Sequence, residues 1–196
     1  MRNDLLMNTN SQSATLLVFL DLSAAFDTND HAILLRRLQT KFGFTGKTLA
    51  WFNSYLTGRF QHVVIENVRS NRFDLEFGVP QGSCLGPLLF SIYTSQLFDI
   101  VSKHLPNVHC YADDTQLYLS FKPDNEASQL AALVAMEACI EDTRLWLIHD
   151  KLMLNDDKTE FLLIGTRRQL EKIQIDNLSI GDSAVPASTL ARNLGS

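Results

Sequence analysis

The chain has 196 residues, of which 45% are hydrophobic and 20% charged, and its net charge is −5. That length accommodates one domain with a sizeable core, and no apolar run approaches the roughly 20 residues of a membrane-spanning helix. An acidic balance counts against a self-sufficient nucleic-acid binder, which needs basic surface to neutralise phosphates, but not against a core that holds metal ions with carboxylates.

Residues 16–20 (LLVFL) form a continuous apolar run ending at Asp21 and predict a strand buried on both faces. A turn-like SAAFDTND follows. Helices are predicted over 30–41, with Leu34, Leu38 and Phe42 spaced by four and Gly43 as the stop, and over 46–57, with Leu49, Phe52 and Leu56 as its stripe and Gly58 as its end. Phe73, Leu75 and Phe77 alternate with charged residues after His62 to Glu66, which predicts a β-hairpin with NVRSN as the polar link.

The Gly/Pro-rich loop GVPQGSCLGP covers 78–87, and Pro87 suits the first turn of a helix striped by Leu88, Leu89, Ile92, Tyr93, Leu97 and Ile100. A second hairpin is predicted at 108–119, then a long helix at 126–149, a strand at 161–164 and short strand-like pieces from 173 to 187 around Gly181. The pattern is α+β, with a mainly antiparallel sheet and helices packed on one face.

Cys84, Cys110 and Cys139 show no C-x-x-C spacing, so neither a disulfide framework nor a zinc site is expected, and all three read as small buried residues. The five histidines show no ligand spacing, and Trp51 and Trp146 read as core. The polar opening MRNDLLMNTNSQS lacks the apolar stretch of a signal peptide, so an intracellular location, nucleus or cytoplasm, is expected, with no membrane partner.

The sharpest feature is aspartates at strand ends. Asp21 closes an apolar strand, and Asp113 and Asp114 sit at the predicted tip of a hairpin. On neighbouring strands these carboxylates would converge and repel one another, an arrangement with little purpose unless a cation arrives. Magnesium takes oxygen ligands, and two such ions stabilise both the attacking and the leaving oxygen of a phosphoryl transfer. Taken singly, a strand-end Asp is more often a cap or turn residue, and an Asp-Asp turn is more often structural.

The wording around the aspartates adds to this. LDLSAAFD within 16–27, GVPQGSCLGP at 78–87, YADD at 111–114 and NDDKTE within 152–160 resemble, in order and separation, motifs A, B, C and D of LINE-type (non-LTR) retrotransposon reverse transcriptases. The resemblance covers about 14–165 and implies a polymerase palm, acting as an RNA-directed DNA polymerase by two-metal phosphoryl transfer. It implies Asp21, Asp113 and Asp114 as ligands of two Mg²⁺ ions, with Mn²⁺ as a substitute, and the main-chain carbonyl of Leu22 as a further ligand. Phe26 matches the residue under the sugar of the incoming nucleotide, which would clash with a 2′-hydroxyl; without the motif it reads as a core aromatic. Gln81 and Gly82 match the nucleotide and template pocket, or else a connector before a helix. Tyr111 is placed near the primer end. Lys158 matches the lysine that protonates the pyrophosphate leaving group, or else is a surface lysine.

Asn29, where an apolar residue is usual, and Asp150, where Asn is usual, depart from the family wording and are expected to cost some stability. Residues 191–195 resemble the beginning of the primer-grip motif. A basic fingers region, a thumb and an endonuclease are not visible, so the chain reads as the acidic core of a larger polyprotein. RNA template, DNA primer and dNTP are the implied partners. A truncated, inactive retrotransposon remnant or interaction module is the competing reading. Another palm-type enzyme is a third, against which the motif B wording and Phe26 argue.

Overall fold

The computed structural model describes residues 7–8, 11–23, 25–80, 82–111, 114–155, 158–181 and 183–188, the side chains of Asn107 and Tyr111 excepted. In chain order the strands are β1 (Ala14–Leu20), β2 (Leu22–Ser23), β3 (Phe60–Gln61), β4 (Val64–Ile65), β5 (Val68–Arg69), β6 (Phe73–Asp74), β7 (Asn107–Tyr111), β8 (Asp114–Phe121), β9 (Met153–Leu154), β10 (Glu160–Ile164), β11 (Asn177–Ile180) and β12 (Ser183–Pro186). The helices are α1 (His31–Thr40), α2 (Gly46–Leu56), α3 (Gly86–Thr94), α4 (Leu97–Val101), α5 (Glu126–His149) and α6 (Arg167–Leu170). They fall into two compact units, one of Met1–Ser23, Gln96–Ile148 and Met153–Ser196, the other of Ala24–Ser95 and His149–Leu152.

The first unit is built on a four-stranded antiparallel sheet in the order β10-β1-β8-β7. The apolar run of β1 lies between two partners, Leu17 facing Tyr118 on β8 and Leu162 on β10, all buried. This is why the run lacks polar alternation. Thr15 and Ser120, opposite each other on β1 and β8, share a hydroxyl hydrogen bond of 3.0 Å. Helix α5 buries Ala132, Met136, Cys139, Ile140, Thr143 and Leu147, a three-and-four spacing that makes one apolar stripe. Its buried Gln129 is fully used: the amide nitrogen donates to the carbonyls of Pro123 and Lys172, and the amide oxygen accepts from the Gln174 N–H.

In the second unit, Asp30 caps α1 by accepting from the amides of Ala32 and Ile33, and Leu34 and Leu38 anchor the helix in the core. Pro87 stands in the first turn of α3. Residues 60–74 form nested hairpins, β3 with β6 outside and β4 with β5 inside.

Several expectations need correction. The hairpin turns at Glu66-Asn67 rather than across NVRSN; both residues have positive φ, 47° and 66°, the geometry of a tight two-residue turn. Phe42 falls beyond the α1 C-cap, Lys41, and is exposed. Trp51 is 54% exposed, because among the described residues of α2 only Leu56 is buried. The stripe after Pro87 is interrupted at Ser95-Gln96 into α3 and α4, and Leu88 points outward. Of the cysteines only Cys139 is buried; Cys84 is exposed and Cys110 intermediate. Among the described residues no helix is long and apolar enough to cross a membrane.

Candidate active site

The first unit carries the carboxylate edge. β1 ends at Leu20, which pairs with Thr115 of β8. Asp21 follows Leu20 and Asp114 precedes Thr115, so the two aspartates flank the last pair of that register. Tyr111 pairs with Asp114 across the β7–β8 hairpin. Asp113 precedes Asp114 in the chain and lies outside the described residues, as does Gln81. The Tyr111 side chain is likewise undescribed.

The motif D segment is tied to the backbone of Asp21. The Asn155 N–H donates to the Asp21 carbonyl at 2.8 Å, and the Asn155 carbonyl accepts from the Lys158 N–H and the Thr159 hydroxyl, each at 3.1 Å. Lys158 Nζ lies 3.4 Å from Asp21 Oδ2. The lysine side chain is 66% exposed and the aspartate 26%, so the pair is solvent-screened and weak. β2 pairs with β9 through Leu22 and Leu154. Because the hydrogen bond runs from Asn155 to Asp21, Leu22–Leu154 is a non-hydrogen-bonded pair, which directs the Leu22 carbonyl away from β9.

Among the described residues no three His, Cys, Asp or Glu side chains are gathered as a metal site. The two carboxylates and a main-chain carbonyl present only oxygen donors, a set that suits Mg²⁺ or Mn²⁺ and not the nitrogen and sulfur preference of zinc.

The second unit carries the end of motif A and the start of motif B, which are clamped together. The Phe26 carbonyl accepts from the Val79 N–H at 2.9 Å, and the Asn29 carbonyl from the Gly78 N–H at 2.8 Å. His31 Nε2 lies 2.8 Å from the Gly78 carbonyl, which also accepts from Arg59 at 3.3 Å. Gly78 has φ +82°, and a Cβ there would stand 2.9 Å from the Asp27 carbonyl, so this contact excludes any larger residue. Phe26 is half-buried with its ring 4.7 Å from that of Phe90. Gly82 has φ +73° and open space around it.

A family model described as reverse transcriptase (RNA-dependent DNA polymerase) matches residues 2–190. The chain belongs to the reverse transcriptase family. Its relatives place it among the non-LTR retrotransposon members. It is 30% identical over 154 residues to the RNA-directed DNA polymerase from mobile element jockey of Drosophila melanogaster, covering 76% of this chain and 16% of the relative. It is 31% identical over 147 residues to the probable RNA-directed DNA polymerase from transposon BS of the same species, covering 72% and 16%. This reverse transcriptase chain therefore spans about a sixth of the length of those relatives. The fold is similar to telomerase from Candida tropicalis in complex with the TWJ fragment of telomeric RNA, with a TM-score of 0.62 at 16% identity over 83% of this chain and 28% of that one. The α+β palm expected from sequence is thus the fold observed.

A polar network that sequence reasoning missed supports motif A in the second unit. Asp150 is 1% exposed and is ion-paired with buried Arg37, and its Oδ1 lies 2.8 Å from His149 Nδ1. The Tyr93 hydroxyl donates to the Asp150 carbonyl and faces the Asp30 N–H at 3.3 Å. Burial, foremost, pushes the Tyr93 phenol up to about 12. Burial also acts to raise the Asp30 carboxyl. Hydrogen bonds from Lys151 and the Ile33 and Ala32 amides outweigh it and leave the group below its ordinary value. Asn29 is fully buried and donates to the Ala25 carbonyl at 2.7 Å, while its Oδ1 has no partner. The available signal was Arg37 lying between Leu34 and Leu38, a charge on an apolar stripe that requires a buried counter-charge.

Proposed function

We propose that this chain is the catalytic palm of an RNA-directed DNA polymerase, adding deoxynucleotides to a primer 3′-end at Asp21, Asp113 and Asp114. What supports the reading is the β1–β8 register, whose last pair, Leu20–Thr115, is flanked by Asp21 on one strand and Asp114 on the other. Two Mg²⁺ ions, or Mn²⁺ in their place, would be held by these carboxylates and the Leu22 carbonyl; when bound they supply Lewis-acid activation and charge neutralisation at the transferring phosphate. Lys158 holds a proton on Nζ within 3.4 Å of Asp21 and is the donor for the departing pyrophosphate. Phe26 discriminates against the 2′-hydroxyl, Gln81 and Gly82 serve the nucleotide and template, and Tyr111 serves the primer end. RNA template, DNA primer and dNTP are the substrates, and fingers, thumb and endonuclease regions of a longer polyprotein complete the machine in the nucleus or cytoplasm.

The test is extension of a DNA primer on an RNA template with dNTPs, alongside metal-dependent dNTP binding. Both are expected in the wild-type chain and lost in Asp21→Asn and Asp113→Asn. Extension or metal-dependent dNTP binding that survives both substitutions contradicts the assignment.

A further inference from the structure

We propose that the exposed face of α2 is a stacking platform for single-stranded RNA, centred on Trp51 and Tyr55. It rests on the polymerase reading above for the identity of the strand, and adds a binding surface outside the carboxylate edge. The two rings stand one helical turn apart and are stacked, with centroids 5.5 Å apart and planes inclined by 14°. Phe52 braces Trp51 edge-on at 5.1 Å and is itself packed against Phe44 at 5.5 Å. Trp51 nonetheless leaves 54% of its surface to solvent. An exposed, pre-stacked indole is an unfavourable thing to leave in water, and a flat π-face is what an unpaired base seeks.

Charge selects the occupant. From 31 to 65 the chain has no Asp or Glu, and it carries Arg36, Arg37, Lys41, Lys47 and Arg59, although the whole chain is at −5. Arg37 is consumed by Asp150 and Lys41 donates to the Ser95 carbonyl at 3.0 Å, while Arg36 and Lys47 are exposed. Lys47, Trp51 and Tyr55 recur at intervals of four and so share one helix face, with the cation a turn before the stack. Lys47 stands in the first turn of α2, where no acidic residue offsets the helix dipole. An apolar protein partner would bury the Lys47 ammonium unpaired, whereas a nucleic-acid strand supplies a phosphate for it and bases for the rings.

Binding is read by fluorescence and anisotropy with the 196-residue chain and a 12-nucleotide oligouridylate in low salt. Trp51 and Trp146 are the only tryptophans and Trp146 is buried, so saturable quenching reports on Trp51. Trp51→Ala and Tyr55→Ala are each expected to weaken binding about five- to 150-fold, and Trp51→Phe much less. Lys47→Ala should reduce the salt slope by about 0.7. Asp21→Asn, in the other unit, should leave RNA affinity unchanged while abolishing metal-dependent dNTP binding, so the two proposals fail separately. RNA affinity indifferent to Trp51→Ala overturns the platform. So does equal affinity for duplex RNA, tighter affinity for DNA of the same sequence, or a Trp51→Ala effect confined to self-association in sedimentation.

Discussion

Replacing Arg37 by Met isolates the buried ion pair of the second unit. Arg37 and Asp150 side chains are 8% and 1% exposed, so the pair is far from the screened surface regime. With the guanidinium gone, the Asp150 carboxylate keeps the contact to His149 Nδ1, at 2.8 Å and on a mostly exposed side chain. Breaking a buried pair from one side costs about 3–5 kcal/mol because the remaining charge is left uncompensated. In a chain of this size that corresponds to a fall in thermal midpoint of roughly 6–20 °C. Circular dichroism melts of wild type and Arg37→Met measure it, and Arg37→Met combined with Asp150→Leu should recover most of the loss, since apolar replacement of a buried pair is close to neutral. A cost below about 1 kcal/mol, the range of exposed pairs, would refute the argument. So would a double variant no more stable than the single one.

Gly78→Ala should destabilise far more than Gly82→Ala. Both have positive φ, which costs roughly 1–2 kcal/mol in an L-residue, but only the Gly78 Cβ would meet a carbonyl, at 2.9 Å; equal melting temperatures would remove the clash from the account. Acid stability should depend on Asp30. Its carboxyl lies below 3.8 in the folded chain, so its contribution is present above that value and lost as pH falls through the folded one. Lys151→Met should flatten the acid limb of a plot of thermal midpoint against pH, and an unchanged limb would show that Lys151 does not stabilise the carboxylate.

Most of the sheet was legible because period and length decide it. The run 16–20 has strand length, the hairpin expected at 108–119 is β7 and β8, and α5 matches its predicted bounds of 126–149. The strand leading to Asp21 was legible from its apolar run, and the pair Leu20–Thr115 sets its end beside the start of β8. Trp51 was misread because helical spacing identifies a stripe without saying what covers it; Leu49 and Phe52 are only half-buried on the same helix. The partnership of Arg37 with Asp150 spans 113 positions, and no local pattern reveals such a pair. Asp150, expected to weaken the fold as a departure from Asn, instead supplies the counter-charge that buried Arg37 requires.

Mn²⁺ titration followed by electron paramagnetic resonance tests the carboxylate edge most directly. Wild type should bind the ion, Asp21→Asn and Asp113→Asn should each lose at least about tenfold in affinity, and Lys158→Met should bind more tightly because the ammonium 3.4 Å from Asp21 no longer competes. Mn²⁺ affinity unchanged in both Asp variants, with their fold intact by circular dichroism, would contradict the claim that these aspartates form a polymerase metal site.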